Sequence, residues 1–265
     1  MTRFSAPGPS RGNDTADEAA APHDTLPCVL SFNASDPTGA GGVVSDAMVI
    51  ASIGAHALPV ITGAYVRDTR EIMGHASLGD DAVAEQAGAV AEDIPLHAIK
   101  IGFVGSAEAV AAIAAFVSDY PAVPVVAYMP DLSWWSEDEI DNYLDAFREL
   151  LLPQVAVLVG NNTTLRHWLL PESTTDRRAR ATDLARAAGE LGVSYVLVTG
   201  IPAVGDQLGN VLASAQGELF SQSYERIDAG FLGAGDILSA ALTALIATGS
   251  ELTEAVAEAP QYLAQ

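Results

Sequence analysis

Short apolar runs bounded by turn residues recur from residue 28 onward, and segments with helical spacing separate most of them. The apolar runs predict strands over 29–33, 59–64, 98–102, 124–128, 155–159 and 195–199. The intervening patterns predict helices over 41–53, 80–92, 106–118, 137–151 and 176–191. Continuous apolar strands that alternate with helices of this length are typical of the α/β class, in which a mostly parallel sheet lies sandwiched between helices.

The two ends of the chain depart from this alternation. Residues 209–215 and 218–224 predict a β-hairpin, and two further helices are predicted over 233–248 and 251–263. Residues 1–27 contain Pro, Gly, Ser, Asp and Ala without apolar periodicity, so we predict a disordered N-terminal tail there. Because no linker divides the remainder, residues 28–265 are expected to form a single domain.

The charge balance limits the partners of the chain. The formal net charge is −22, from 34 acidic and 12 basic residues, which argues against nucleic acid or an anionic membrane as a partner. A phosphorylated ligand must therefore be held by local amides, metal ions or a few basic groups. The single cysteine, Cys28, excludes an internal disulfide and fits a reducing cytoplasm, and we expect it to be a buried structural thiol.

The most informative motif is Gly233-Ala234-Gly235-Asp236, which opens the helix predicted over 233–248. The amides of a first helical turn attract an anion, such as a phosphoryl group in transfer. A carboxylate in that turn, here Asp236, could accept the proton of a substrate hydroxyl. The alternative is a loop whose acid only complements the helix dipole.

A second glycine loop, residues 35–42, follows the first predicted strand and precedes a helix that contains Asp46. It has neither the Gly-x-Gly-x-x-Gly pattern of dinucleotide sites nor the Lys-Ser/Thr of a P-loop. Ligands of open parallel sheets bind at the carboxyl ends of the strands, which is where this loop lies. Asp46 is either a partner for a small polar substrate or an exposed helical acid.

With both loops in view, the chain resembles the hydroxymethylpyrimidine and phosphomethylpyrimidine kinases of thiamin biosynthesis, in the ribokinase-like superfamily. Six ordered segments give the resemblance: 35–42 with Asp46, 52–55, 60–63, 100–102, 151–155 and 233–242. It implies a ribokinase-like fold, a homodimer, and phosphorylation of a hydroxymethyl group with ATP and Mg²⁺. The implied acceptor is hydroxymethylpyrimidine or its monophosphate. A pyridoxal kinase and a ligand-binding homologue without turnover remain alternatives.

The resemblance also implies roles for individual residues. Asp236 would be the catalytic base. The anion hole would be formed by Gly233, Ala234 and Gly235. The acceptor pocket would be lined by Ala34, Asp46, Arg67, Phe103 and Pro130. The nucleotide would lie near Asn161, Thr199 and Gly200.

Several positions differ from the family pattern. Asp236 replaces a cysteine of the pyrimidine kinases, and a carboxylate is ionised at neutral pH where a thiol mostly is not. Arg67 replaces a glutamine that reads the pyrimidine edge, and a guanidinium suits a phosphate or carboxylate better than a neutral ring. We therefore expect Arg67 to favour an acceptor that already carries a phosphate. The alternative is that Arg67 neutralises Asp68 or Glu71.

The nucleotide and metal side of the pattern differs as well. The family's Asn-x-x-Glu becomes residues 161–164, which lack the carboxylate, and Thr199 stands in place of a lysine. The Asp-Pro/Thr-Val motif becomes residues 128–130, beginning with a tyrosine. Lys100, at a strand end, is expected to snorkel or to pair locally. The tryptophans at 134, 135 and 168 are expected to pack beside helices, and no histidine spacing supports a zinc site.

Overall fold

A single nine-stranded sheet contains every strand in the described part of the chain. The structure, a computed structural model, describes residues 26–170 and 179–264. Its strands are, in chain order, β1 (Cys28–Ser35), β2 (His56–Arg67), β3 (Ile72–Ser77), β4 (Ala98–Ile101), β5 (Val125–Met129), β6 (Val157–Asn161), β7 (Tyr195–Pro202), β8 (Gln207–Ser214) and β9 (Gly217–Glu225).

The spatial order of the sheet is β3-β2-β1-β4-β5-β6-β7-β8-β9. Strands β2, β1, β4, β5, β6 and β7 run parallel, whereas β3, β8 and β9 pair antiparallel at the two sides. The carboxyl ends of the parallel strands therefore meet at one edge of the sheet, where ligands of such sheets bind.

Helices cover both faces of this sheet. The α-helices are α1 (Gly42–Ser52), α2 (Asp80–Ala91), α3 (Ala107–Ser118), α4 (Glu137–Ala146), α5 (Asn162–Leu169), α6 (Ala181–Glu190), α7 (Ala234–Ala247) and α8 (Leu252–Glu258). None of the helices within 26–170 and 179–264 has both the length and the apolar composition that crossing a bilayer requires.

Alternation along the strands divides the core between the two faces. Leu30 and Phe32 of β1 belong to a large cluster with side chains of α2, α3, α4 and α6. Val29 points the other way and joins a cluster with residues of α1 and α7. Cys28 is buried in the larger cluster, as expected for a structural thiol.

Most predicted elements are confirmed with small shifts at their ends, including the hairpin of β8 and β9. Strand β3 and helix α5 were not predicted from the sequence. Strand β3 is a short edge strand with Gly74 and His75 at its centre, so it shows no apolar run. Helix α5 has only eight residues and is capped by Asn161, whose side chain accepts from the amide of Thr163.

Two predicted helices are irregular. The segment predicted over 137–151 is α4 followed by a π-helical turn, Phe147–Leu151. The last predicted helix is α8 followed by a 3-10 segment, Ala259–Ala264. Of the helix predicted over 176–191, residues 176–178 lie outside the described residues, as do residues 1–25 of the predicted tail.

Candidate active site

The two glycine loops pack directly on each other at the carboxyl edge of the sheet. Gly233, the N-cap of α7, has φ +69°, and a Cβ there would overlap the carbonyl oxygen of Ala40. A Cβ on Gly41 would lie 2.9 Å from Oδ2 of Asp236. A side chain at residue 233 would push the loop away from α7, and a side chain at residue 41 would crowd the carboxylate of Asp236.

The start of α7 offers free hydrogen-bond donors. The first amides of an α-helix have no acceptor within the helix, and no side chain caps α7. Gly233, Ala234 and Gly235 are all partly accessible at this end. The arrangement suits an anion, because the N–H groups and the helix dipole act in the same direction.

Asp236 lies in this first turn and is held by three donors. Its Oδ1 accepts from Lys100 Nζ at 2.8 Å and from Asn33 Nδ2 at 2.8 Å, and its Oδ2 accepts from the amide of Gly42 at 3.0 Å. The side chain remains 14% exposed. Since a carboxylate oxygen can accept two hydrogen bonds, Oδ2 has room for one more donor.

Lys100 is the centre of this network. The side chain is fully buried in β4, and its Nζ also lies 2.9 Å from Oδ1 and 2.8 Å from Oδ2 of Asp46. The expectation that Lys100 snorkels is therefore wrong, and its partners are 54 and 136 residues away in the chain. Local sequence patterns contain no signal for such distant partners.

Asp46 is a fully buried member of this network, so the alternative that it is an exposed helical acid is wrong. The residue is 0% exposed, and its Oδ2 accepts from Ser31 Oγ at 2.7 Å and from Asn33 Nδ2 at 3.0 Å in addition to Lys100. Both oxygens point inward, so Asp46 holds Lys100 in place from below.

The network separates the protonation behaviour of the two carboxyls. Burial alone would raise the pKa of Asp236, but the Lys100 ammonium and the hydrogen bonds from Lys100, Gly42 and Asn33 outweigh it, and the pKa lies below its ordinary value. At Asp46 burial dominates over Lys100, and the pKa is raised. The pKa of Lys100 is raised, because the two carboxylates outweigh its burial. Asp236 is therefore ionised at neutral pH, as a base must be.

Arg67 pairs with an acid of the first glycine loop. Its Nη1 lies 3.4 Å from Oδ2 of Asp36, and the two side chains are 10% and 1% exposed. Asp36 also accepts from the amide and hydroxyl of Thr38, both at 2.8 Å. The contact of Arg67 with Asp68 is to the backbone oxygen and not to the carboxylate. The carboxylate partner of Arg67 is therefore Asp36, and not Asp68 or Glu71 as the sequence suggested.

An aromatic cluster lies beside this pair. Phe103 stacks on Tyr65 with centroids 5.2 Å apart, and Trp134 and Trp135 meet its ring edge-on at 5.6 Å and 5.4 Å. The tryptophans therefore pack, as expected. Phe103 and Ala34 are each only 1% exposed, and Pro130 is half-buried. Tyr65 was not selected from the sequence. It stacks on Phe103, and the charge of Asp236 adds to burial in raising its pKa.

The residues expected at the nucleotide come together at the carboxyl ends of β6 and β7. A Cβ on Gly200, where φ is +70°, would lie 2.8 Å from Nδ2 of Asn161. Thr199 Oγ1 donates to the backbone oxygen of Gly160 at 3.4 Å. Gly200 lines an open cavity of about 500 Å³ that also reaches Arg226 and Asp228.

A second, largely apolar cavity of about 420 Å³ adjoins the start of α7. Ile227 lines both cavities, so they are neighbours beside the chain segment before the Gly233 motif. Sequence analysis did not identify it, because its walls come from β8, β9, α7 and the C-terminal segment. The apolar lining comprises Ile227, Phe231, Leu232, Ala234, Ile237, Pro260 and Leu263.

The described residues form no group of three or more His, Cys, Asp or Glu side chains that could hold a metal ion. Asp131 bonds the amide and hydroxyl of Ser133, and Asn161 caps α5. The side chains of the described site therefore do not build a metal cage of their own.

We expect Lys100→Met to lower the free energy of unfolding by about 3–5 kcal/mol at neutral pH, because two buried carboxylates lose their cation. Without the ammonium, burial raises the pKa of these carboxyls, so the loss is complete above that raised pKa and shrinks as pH falls through it. Urea unfolding at about pH 7.5 and about pH 5 measures the difference.

The matched control is Arg186→Met, whose pair with Asp183 is exposed and is expected to contribute less than about 1 kcal/mol. If Lys100→Met is as stable as the unchanged protein at both pH values, the network does not stabilise the fold.

The chain is similar in sequence to known kinases over nearly all of its length. A family model described as phosphomethylpyrimidine kinase matches residues 36–265. A hydroxymethylpyrimidine/phosphomethylpyrimidine kinase of Rhizobium meliloti is 30% identical over 244 residues, which covers 88% of each chain. A protein of the same description from Streptomyces coelicolor is 27% identical over 248 residues, covering 92% of this chain and 90% of the other.

Solved structures confirm the fold. An ADP complex of Bacillus subtilis pyridoxal kinase superposes with a TM-score of 0.77 at 22% identity, covering 89% of this chain and 90% of that one. The expected ribokinase-like architecture, a mostly parallel sheet between helices, is thus confirmed. By the match to its family model and by these relatives, the chain belongs to the phosphomethylpyrimidine kinase family.

Proposed function

We propose that this protein phosphorylates the hydroxymethyl group of a small heterocycle with ATP, and that the acceptor is hydroxymethylpyrimidine or its monophosphate, in thiamin biosynthesis. The observation that supports this most strongly is the carboxylate of Asp236, held by three donors in the uncapped first turn of α7. A base and an anion site thereby share one helical turn. The relatives named above are kinases of this acceptor class.

In the proposed reaction Asp236 accepts the proton of the acceptor hydroxyl at Oδ2, the oxygen that bonds only the amide of Gly42. The acceptor oxygen forms a bond to the terminal phosphorus of ATP as the bond to the ADP oxygen breaks. The amides of residues 234–236 stabilise the negative charge on the phosphoryl oxygens. Lys100 and Asn33 fix the carboxylate through Oδ1, so that it does not turn away from the acceptor.

We propose that the nucleotide base lies in the apolar cavity of about 420 Å³ and that the phosphates extend from it to the start of α7. Ala234 supports this placement because it lines the cavity and also belongs to the first turn of α7. Mg²⁺ would enter with the nucleotide phosphates, since Mg²⁺ in kinases is held mainly by phosphates, water and one or two carboxylates.

We propose that the acceptor lies between the aromatic cluster around Phe103 and the Arg67–Asp36 pair. The aromatic rings suit a flat heterocycle, and Arg67 suits an anionic substituent. Because Asp36 occupies Nη1 only, other donors of the guanidinium remain for a phosphate oxygen.

A homodimer and a cytoplasmic location complete the proposal. Exposed apolar side chains on α1 and on the β2–β3 hairpin support a dimer, among them Met48 (68%), Val66 (54%) and Met73 (62%). Analytical ultracentrifugation of the purified chain tests the dimer. The need for ATP and the free thiol of Cys28 support the cytoplasm.

Asp236→Asn is expected to lower kcat by about 10²–10⁴-fold with little change in the KM of the acceptor, because the amide keeps the shape but cannot accept the proton. Asp81→Asn, in the first turn of α2, is the matched control and should retain full activity. Turnover close to that of the unchanged protein would exclude Asp236 as the base.

The acceptor is tested by measuring kcat/KM for hydroxymethylpyrimidine, its monophosphate and pyridoxal. We expect the monophosphate to be preferred over the free alcohol, and Arg67→Gln to reduce that preference by about 5- to 150-fold, the range for a hydrogen bond to a charged group. Arg70→Gln, an exposed arginine in the same turn, is the control.

Each other outcome of this assay has a definite meaning. If the ratio of kcat/KM for the monophosphate to that for the free alcohol is unchanged in Arg67→Gln, the role of Arg67 is structural. Turnover of pyridoxal alone identifies a pyridoxal kinase, and no turnover of any acceptor leaves a ligand-binding homologue.

Phe231→Ala is expected to weaken ATP binding by about 10- to 150-fold, because an aromatic side chain buried against a ligand contributes about 1.5–3 kcal/mol. The KM of the acceptor should not change. Leu219→Ala, a 48% exposed residue of β9 away from the cavity lining, is the control. Calorimetric titration with ATP measures the affinity of both variants. If Phe231→Ala binds ATP as tightly as the wild-type protein, the adenine base does not lie in this cavity.

A further inference from the structure

The phenol of Tyr128 lies on the first turn of α7. Tyr128 belongs to β5, and a Cβ on Gly235 would overlap the Cζ and Oη atoms of its ring. The hydroxyl end of the side chain therefore contacts the backbone of Gly235 directly, with no space for a side chain between them. The missing Cβ of Gly235 is what lets the phenol approach the amides of the candidate anion site.

The hydroxyl of Tyr128 is available as a donor. Among the described residues it has no hydrogen-bond partner, and it is not one of the enclosed polar atoms, since Tyr128 is only half-buried. Burial, followed by the charges of Asp236 and Asp131, raises the pKa of the phenol. The group therefore keeps its proton at neutral pH and can donate a hydrogen bond.

Three other polar side chains around the two glycine loops and the end of β7 already have partners. Lys100 Nζ bonds three carboxylate oxygens, which are as many as an ammonium has hydrogens. Arg67 pairs with Asp36 of the first glycine loop. Thr199 uses its hydroxyl on the backbone of Gly160. Beside the amides of α7, the phenol of Tyr128 is therefore a side-chain donor whose hydrogen is not already used.

We infer that Tyr128 is a catalytic residue whose Oη–H donates a hydrogen bond to a non-bridging oxygen of the phosphoryl group, beside the amides of residues 234–236. The phenol donates without transferring its proton, so the acceptor proton still passes to Asp236 and ADP is still the leaving group. The inference extends the proposed function, because it assigns a side-chain donor to the same site.

The alternative is that Tyr128 is a spacer whose ring only packs on Gly235. Tyr128→Phe separates the two roles, because it keeps the ring and removes the hydroxyl. If the hydroxyl donates to the phosphoryl group, kcat falls by about 10²-fold, at the lower end of the loss of one oxyanion donor, and the KM of the acceptor stays unchanged. If the ring is a spacer, kcat stays unchanged and the inference is wrong.

The control is Tyr195→Phe, a half-buried tyrosine at the opposite, amino end of β7. It should match the unchanged protein in kcat, and thermal unfolding of both variants checks that each is folded.

A binding measurement keeps the inference testable if the unchanged protein shows no turnover. A donor to the terminal phosphate makes Tyr128→Phe bind the non-hydrolysable ATP analogue AMP-PCP several-fold more weakly, while its affinity for ADP is unchanged. Absence of turnover with a selective loss of AMP-PCP affinity refutes the proposed kinase activity and supports the role of Tyr128. Unchanged kcat overturns the inference. Where the wild-type protein shows no turnover, unchanged AMP-PCP affinity of Tyr128→Phe overturns it, and so does a wild-type protein that does not bind AMP-PCP.

Discussion

The buried ammonium of Lys100 is the interaction on which the candidate active site depends. It joins three elements, because the lysine belongs to β4, Asp46 to α1 and Asp236 to α7. Asn33 of β1 bonds both carboxylates and closes the network. Two carboxylates this close and this deeply buried could not both remain ionised without a cation between them. The position of the proposed base is therefore fixed by electrostatics as much as by the backbone of α7.

The location of this network follows from the alternation along the strands. Val29, Ser31 and Asn33 point to the same face of β1, and Ser31 is in register with Lys100 of β4. Along that face the side chains change from apolar at the amino end to polar at the carboxyl end, beneath α1 and α7. Val29, at the apolar end, packs against α1 and α7. This packing holds both helices close enough for Ser31 and Asn33, at the polar end, to bond Asp46 and Asp236.

Features that are local in sequence could be predicted, and features that depend on distant contacts could not. The strand–helix alternation and both glycine loops follow from residues close together in the chain. The burial of Asp46 could not be predicted, because helix periodicity does not reveal that Ser31, Asn33 and Lys100 bond its carboxylate. The partner of Arg67 was missed for the same reason, since Asp36 lies 31 residues away while Asp68 is adjacent.

An acidic protein that binds a polyanion needs donors that bring little net charge with them. The chain has a net charge of −22, and Lys100 at the centre of the site is neutralised by its own carboxylates. Backbone amides and phenols are dipoles, so they attract a phosphate only at short range and in the right direction. The contact of the loop over residues 35–42 with Gly233 is consequently more important to the site than any surface charge, because it sets where those dipoles point.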